Sequence, residues 1–162
     1  GCAAVIGAAK LLRESAAAEI SVALVSQEEV GSAGAATAAY ALAPDFAFAV
    51  DVSFGSTPDD RPEDCAEIGK GPMIGFAPIL DRSLSRRLTE TAQKHGIPYQ
   101  TEIIGSRTGT DADFIAVSRG GVRTGLLSIP LRFMHTAGEI AALCDLEQTA
   151  RLLAKTIEEG LS

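Results

Sequence analysis

Apolar positions along the 162-residue chain fall into two alternating rhythms. Residues 2–18 are Ala-rich, with Leu11 and Leu12 at helical spacing, and predict a helix with one buried face. Ile20-Ser21-Val22-Ala23-Leu24-Val25-Ser26 predicts a strand apolar at nearly every position, the kind found at the centre of a sheet. A helix of small residues is expected over 33–42, and a second buried strand over 45–52. Gly, Pro and Asp crowd residues 55–72, which marks a long loop. A short strand at 73–77 and a helix at 82–95 follow, the helix stopped by Gly96 and Pro98. Then come a strand at 99–104, a turn-rich stretch to Thr110, a helix starting near Asp111 and a strand at 122–129. The last helix is expected to take Asp145 as N-cap, with Gln148 at the capping-box position, and to run to Gly160. Helices alternating with buried strands imply a three-layer α/β/α sandwich around a mixed, largely parallel sheet. In such sheets ligands gather at the loops after the strands' carboxyl ends.

Composition narrows this picture to one domain with a real core, 46% hydrophobic and 22% charged. A net charge of −7 argues against nucleic acid or an anionic membrane as the main partner. No apolar run approaches the roughly 20 residues that span a bilayer, and the first residues lack the features of a signal peptide. Cys2, Cys65 and Cys144 are far apart and odd in number, which fits a reduced, cytoplasmic protein better than a disulfide framework.

Few residues are candidates for chemistry. Glu28-Glu29 directly follows the first predicted strand. The pair reads first as a solvated helix start, where the dipole favours Glu, and second as a site that compensates two carboxylates. Asp51 closes the apolar run 46–50, as a turn-former ahead of Ser53 and Gly55 or as a functional carboxylate. His95 reads as a cation near a helix C-terminus, whereas His135 lies beyond the strand at 122–129 with Glu139 nearby. Glu29, Asp51 and His135 form an oxygen-and-nitrogen set of the kind that zinc, cobalt or manganese accepts.

The sequence resembles the dinuclear metallopeptidases that include the tetrahedral, glutamyl and deblocking aminopeptidases. The resemblance is carried by Ser26-Gln27-Glu28-Glu29-Val30-Gly31, by Asp51-Val52 with Thr57-Pro58, and by Gly109-Thr110-Asp111-Ala112. Ile129-Pro130-Leu131-Arg132-Phe133-Met134-His135-Thr136 with Glu139 is the fourth motif, and Gly69-Lys70-Gly71-Pro72 a weaker fifth. Order and spacing agree over essentially the whole chain. The resemblance implies that Glu28 is the general base, that Glu29 and His135 bind one metal, and that Asp51 binds the other. It also implies that Gly109, Thr110, Asp111 and Ala112 line the substrate cleft. Two divalent ions, zinc or cobalt, peptide substrates and a homo-oligomer are expected of the complete protein.

The chain departs from the family pattern at Arg123, at Thr136-Ala137-Gly138 and at Ser56, none of which removes a matched ligand. The family takes a His ligand and a bridging Asp from sequence upstream, where the Asp would lie just before Gly1; a small inserted β-domain is missing too. The chain is therefore expected to be the C-terminal portion of a catalytic domain, truncated, a poor binder of metal and inactive alone. A glycosidase using Glu28 and Glu29, or a non-catalytic binding or assembly module, are the alternatives. An acidic-residue preference would require a cation such as Arg107 or Arg123 in the first pocket.

Overall fold

The structure is a computed structural model that describes residues 1–12, 19–58 and 65–161. One four-stranded sheet forms its middle layer, in the order β1-β4-β2-β3, from β1 (Phe46–Phe54), β2 (Met73–Phe76), β3 (Gln100–Ile103) and β4 (Arg123–Leu131). β1 runs parallel to β4 and β2 parallel to β3, while β2 and β4 are antiparallel. The sheet is therefore mixed and mostly parallel, as the alternating pattern predicts. Pro130 is tolerated in this central strand because β2 pairs with β4 only at Leu127 and Ser128. The missing N–H falls past the antiparallel ladder.

Helices cover both faces. α1 (Cys2–Leu12), α3 (Arg82–His95) and α5 (Leu143–Glu158) close one side around Ala8, Leu12, Ile74, Leu88, Ala92, Leu127, Leu152 and Leu153. α2 (Ala33–Leu42) and the short α4 (Ala112–Ile115) lie on the other side, where Ala49, Leu80, Ala112 and Leu126 form a smaller core. Truncating Leu88 or Leu152, both fully buried, would cost about 2–5 kcal/mol in lost burial and cavity. α3 starts where its sequence says it should. The Asp81 carboxylate accepts Ser83 N–H at 2.8 Å and Leu84 N–H at 3.2 Å, and Gly96 takes the left-handed turn that ends the helix. No helix among the described residues is long and apolar enough to cross a membrane.

Three expectations need correction. Residues 20–25 form no strand, and Ile20, Val22 and Leu24 are exposed. Apolar alternation supplies a face to bury but not a partner. A strand exists only where a neighbouring backbone takes up its N–H and C=O groups, and no described residue does so here. For the same reason β1, buried by composition, is an edge strand with mostly half-buried residues. Third, Asp145 is not the N-cap of α5, which begins at Leu143 after Ala142. Its carboxylate is fully buried and turns away to accept Gly69 N–H at 2.7 Å and Gly71 N–H at 2.8 Å, tying the Gly69-Lys70-Gly71 loop to the helix. Gln148 makes no capping box, and its Oε1 is buried without a partner among the described residues. The far end of the first predicted helix, 13–18, lies outside the described residues.

Candidate active site

Glu28 and Glu29 open a single turn of 3-10 helix, Glu28–Val30, wedged between residues in left-handed conformation. Gln27 enters it at φ 68° and Gly31 leaves it at φ 111°. Glu29 projects into solvent and meets His135, with Oε1 and Nε2 3.1 Å apart. Glu139 fixes the loop carrying that imidazole, since its Oε1 accepts the His135 backbone N–H at 2.8 Å. His135 itself stands at φ 61°, and Phe133 at φ 58°. Left-handed backbone is costly for residues other than glycine and survives where surroundings enforce it. Of the six such residues among those described, Gln27, Ser32, Phe133 and His135 belong to the two loops that build this place.

Asp51 lies within β1 rather than at its end, because the strand continues to Phe54. That removes the turn-forming explanation. Its Oδ1 accepts the Val52 N–H at 2.8 Å, and its register partner on β4 is Ser128. On that face the Ser128 and Ser53 hydroxyls donate to Glu102, at 2.9 Å and 2.5 Å, so a hydroxyl–carboxylate bridge crosses from β3 to β1 beside Asp51. Sequence reasoning missed Glu102, because only the sheet order brings β3 within reach of the other strands.

The turn Gly109-Thr110-Asp111-Ala112 stands against the same carboxylates. Asp113, almost completely buried, holds it by accepting Thr108 N–H at 2.9 Å, the Thr108 hydroxyl at 2.9 Å and Gly109 N–H at 3.1 Å. Gly109 takes φ 73°, which favours glycine. The Asp-x-Asp spacing in the sequence was a signal for this second carboxylate, since Asp commonly bonds backbone N–H groups in its own turn.

These groups share one electrostatic neighbourhood. Burial raises the Glu28 carboxyl above its ordinary pKa, and Asp51, Glu29 and Asp111 raise it further, while His135 lowers it. Asp111 is raised chiefly by burial, opposed by a hydrogen bond with Ser32 and reinforced by Asp51. Glu28 thus senses three other carboxylates against one imidazole, an imbalance that added positive charge would relieve. Even so, no group of three or more His, Cys, Asp or Glu side chains among the described residues is placed to hold a metal ion. The region is an open face. A cavity of about 300 Å³ lined by Phe76, Ala77, Pro78, Leu80, Arg82, Ser85 and Ile104 includes none of these residues.

The remaining sequence candidates lie elsewhere or are engaged. His95 Nε2 and Lys94 Nζ both contact Glu159 Oε1 at 2.7 Å, pulling that carboxyl down to about 2. Arg123 is held by Asp81 at 2.6 Å and lies over the Phe46 ring. Arg107 stands 6.0 Å from the Phe114 ring, next to the Thr108 turn.

Comparison with known proteins gives the chain a family. Residues 1–152 match the family described as M42 glutamyl aminopeptidase. The chain is 40% identical over 156 residues to a lysyl aminopeptidase of Pyrococcus furiosus, covering 96% of this chain and 45% of that protein. It superposes on an aminopeptidase from the archaeon Desulfurococcus kamchatkensis with a TM-score of 0.89 at 34% identity, covering 98% of this chain and 46% of that one. A Pyrococcus horikoshii TET1 peptidase, which can assemble into a tetrahedron or a large octahedral shell, is similar with a TM-score of 0.62 at 31% identity, over 82% of this chain and 38% of its own. The chain therefore spans about half the length of the relatives it matches. By its match over nearly the whole length, the chain belongs to the M42 glutamyl aminopeptidase family.

Proposed function

We propose that this chain is the C-terminal portion of the catalytic domain of a metal-dependent aminopeptidase, which removes N-terminal residues from peptides with Glu28 as general base. The observation that supports the reading is the 3.1 Å approach of Glu29 to His135 beside Glu28, whose carboxyl senses the negative charge of Asp51, Glu29 and Asp111. The donor set fits two divalent ions: Glu29 and His135 for one, Asp51 for the other, with zinc or cobalt suited to mixed carboxylate and imidazole ligands. When bound, the ions supply Lewis acidity that polarises the scissile carbonyl and acidifies the attacking water. Glu28 accepts a proton from that water and delivers it to the nitrogen of the departing amine.

The missing ligands belong, in this reading, to a preceding segment of the longer protein. Gly1 packs so tightly on the Val50 carbonyl that a side chain there would collide with it. A residue joined to Gly1 would emerge beside Asp51, where a bridging carboxylate is needed. The isolated chain, with three ligands of five, binds metal poorly and is inactive. The complete protein assembles as a homo-oligomer, in line with the assembling TET1 relative.

The test is hydrolysis of a panel of aminoacyl anilides by the full-length protein. Activity that is lost on chelation and restored by cobalt or zinc is expected. A folded, metal-loaded protein that cleaves none of them overturns the proposal, and activity on glycosides that survives chelation would favour the glycosidase reading.

A further inference from the structure

We infer that Arg132 is a positioning residue, which ties the end of β1 to the loop carrying His135 and so fixes the separation between the two halves of the candidate metal centre. The inference rests on the metallopeptidase reading and adds a residue that sets the geometry of that site without being a ligand.

Arg132 is the first residue after β4, and its backbone and side chain serve different partners. Its N–H donates to the Ile140 carbonyl at 2.9 Å, and its carbonyl accepts the Ile140 N–H at 3.2 Å. That isolated antiparallel bridge closes the loop that holds His135 and Glu139. The side chain joins the other strand. Its Nε donates to the Ser56 carbonyl, just past the end of β1, which carries Asp51. The ladder of β1 and β4 ends at Phe54 and Leu131, with the Gly55 N–H on the Leu131 carbonyl at 2.8 Å. One step further the guanidinium stands in for the backbone, since the main chain of Arg132 is already committed to Ile140.

A half-buried arginine so close in the chain to His135 could have paired with a carboxylate of the site. It makes no ion pair among the described residues. Nor is it among the charges that shift Glu28 or Asp111. Arg132 therefore joins the two loops and leaves the negative charge of the site uncompensated, free to attract cations. Glu29 and His135 lie on one side of this joint and Asp51 on the other. An ion held by one half alone does not sense the separation between them. Two ions sharing a bridging group do, because their spacing is set by the ligands on both sides.

The experiment titrates the full-length protein, freed of metal by chelation, with cobalt, and follows visible absorbance to separate the first ion bound from the second. The unaltered protein takes up two. Arg132→Met keeps the stem and removes the donor. It is expected to leave the first ion bound as before and to weaken the second about 10- to 100-fold, the usual effect of losing an outer-shell partner. Arg132→Lys keeps a donor but not the planar fork. It is expected to fall between the two, and it carries the comparison should the Met variant fail to fold. Two ions bound with unchanged affinities in a folded variant overturn the inference alone. Equal weakening of both ions overturns it too, by making the Ser56 bond a purely structural one. An unaltered protein that binds no pair of ions overturns the metallopeptidase reading and this inference together.

Discussion

Glu29 and His135 stand 106 positions apart in sequence, and the fold brings carboxylate and imidazole to 3.1 Å of each other. Neither is fixed by burial, since both side chains are largely exposed. Their placement comes from the backbone: the strained turns at Gln27 and at Phe133 to His135, and the Glu139 carboxylate that holds the His135 N–H.

Removing that brace should therefore loosen the metal without touching a ligand. Glu139→Ala is expected to weaken zinc binding by the full-length protein about 10- to 100-fold, the usual consequence of losing an outer-shell partner. Competition against a chromogenic chelator measures it. Unchanged affinity would mean that the loop holds its shape without Glu139.

Asp145 is the other carboxylate whose role the sequence misassigns. Asp145→Ala would leave the Gly71 N–H without its acceptor in a buried setting and the Gly69 N–H in a half-buried one. A loss of about 2–4 kcal/mol is expected, roughly 1–3 kcal/mol for the buried Gly71 group and about 1 kcal/mol for the half-buried Gly69 one, read from urea unfolding. A capping role would cost only about 1 kcal/mol, so the size of the effect separates the two.

How far the sequence reached can be judged from such residues. The bounds of α2 and α3 were legible because small-residue periodicity and a Gly stop act within a few positions. Family membership was legible through motif order. Residues 20–25, Glu102 and Asp145 were not, because each depends on what stands across from it. A strand needs a partner, Glu102 needs the order β1-β4-β2-β3, and Asp145 needs a loop 74 residues away. Local pattern encodes the readiness of a segment to be buried, not the neighbour that buries it.

Site electrostatics make a prediction for the metal-free protein. Glu28 and Asp111 have folded-state pKa values above their ordinary ones, so between the two values the folded chain holds more protons than the unfolded one. Stability from these groups is highest in acid and falls as pH rises through the window above their ordinary values of 4.5 and 3.8. Glu28→Gln should raise the melting temperature near neutral pH and shrink that decline, measured by thermal melts in the presence of chelator. Asp81 and Glu159, both lowered, act with the opposite sign, and their contribution is lost as pH falls below the ordinary carboxylate range. A destabilised Glu28→Gln would contradict the repulsion assigned to the site.

The free edge of β1 and the exposed Val22 and Leu24 should make the isolated chain associate. Replacing both with Lys is expected to shift sedimentation velocity toward monomer while leaving far-ultraviolet circular dichroism unchanged. Equal association of the two proteins would locate the sticky surface elsewhere.

The central claim is that Glu28 moves protons while its neighbours hold metal, and one comparison tests it most directly. Metal content and kcat are measured together for full-length protein and its Glu28→Gln variant. The account predicts equal metal content and a kcat lowered by about 10²- to 10⁴-fold, the contribution of a general base. Full activity in a metal-replete variant would contradict it, as would loss of metal on substituting Glu28 alone.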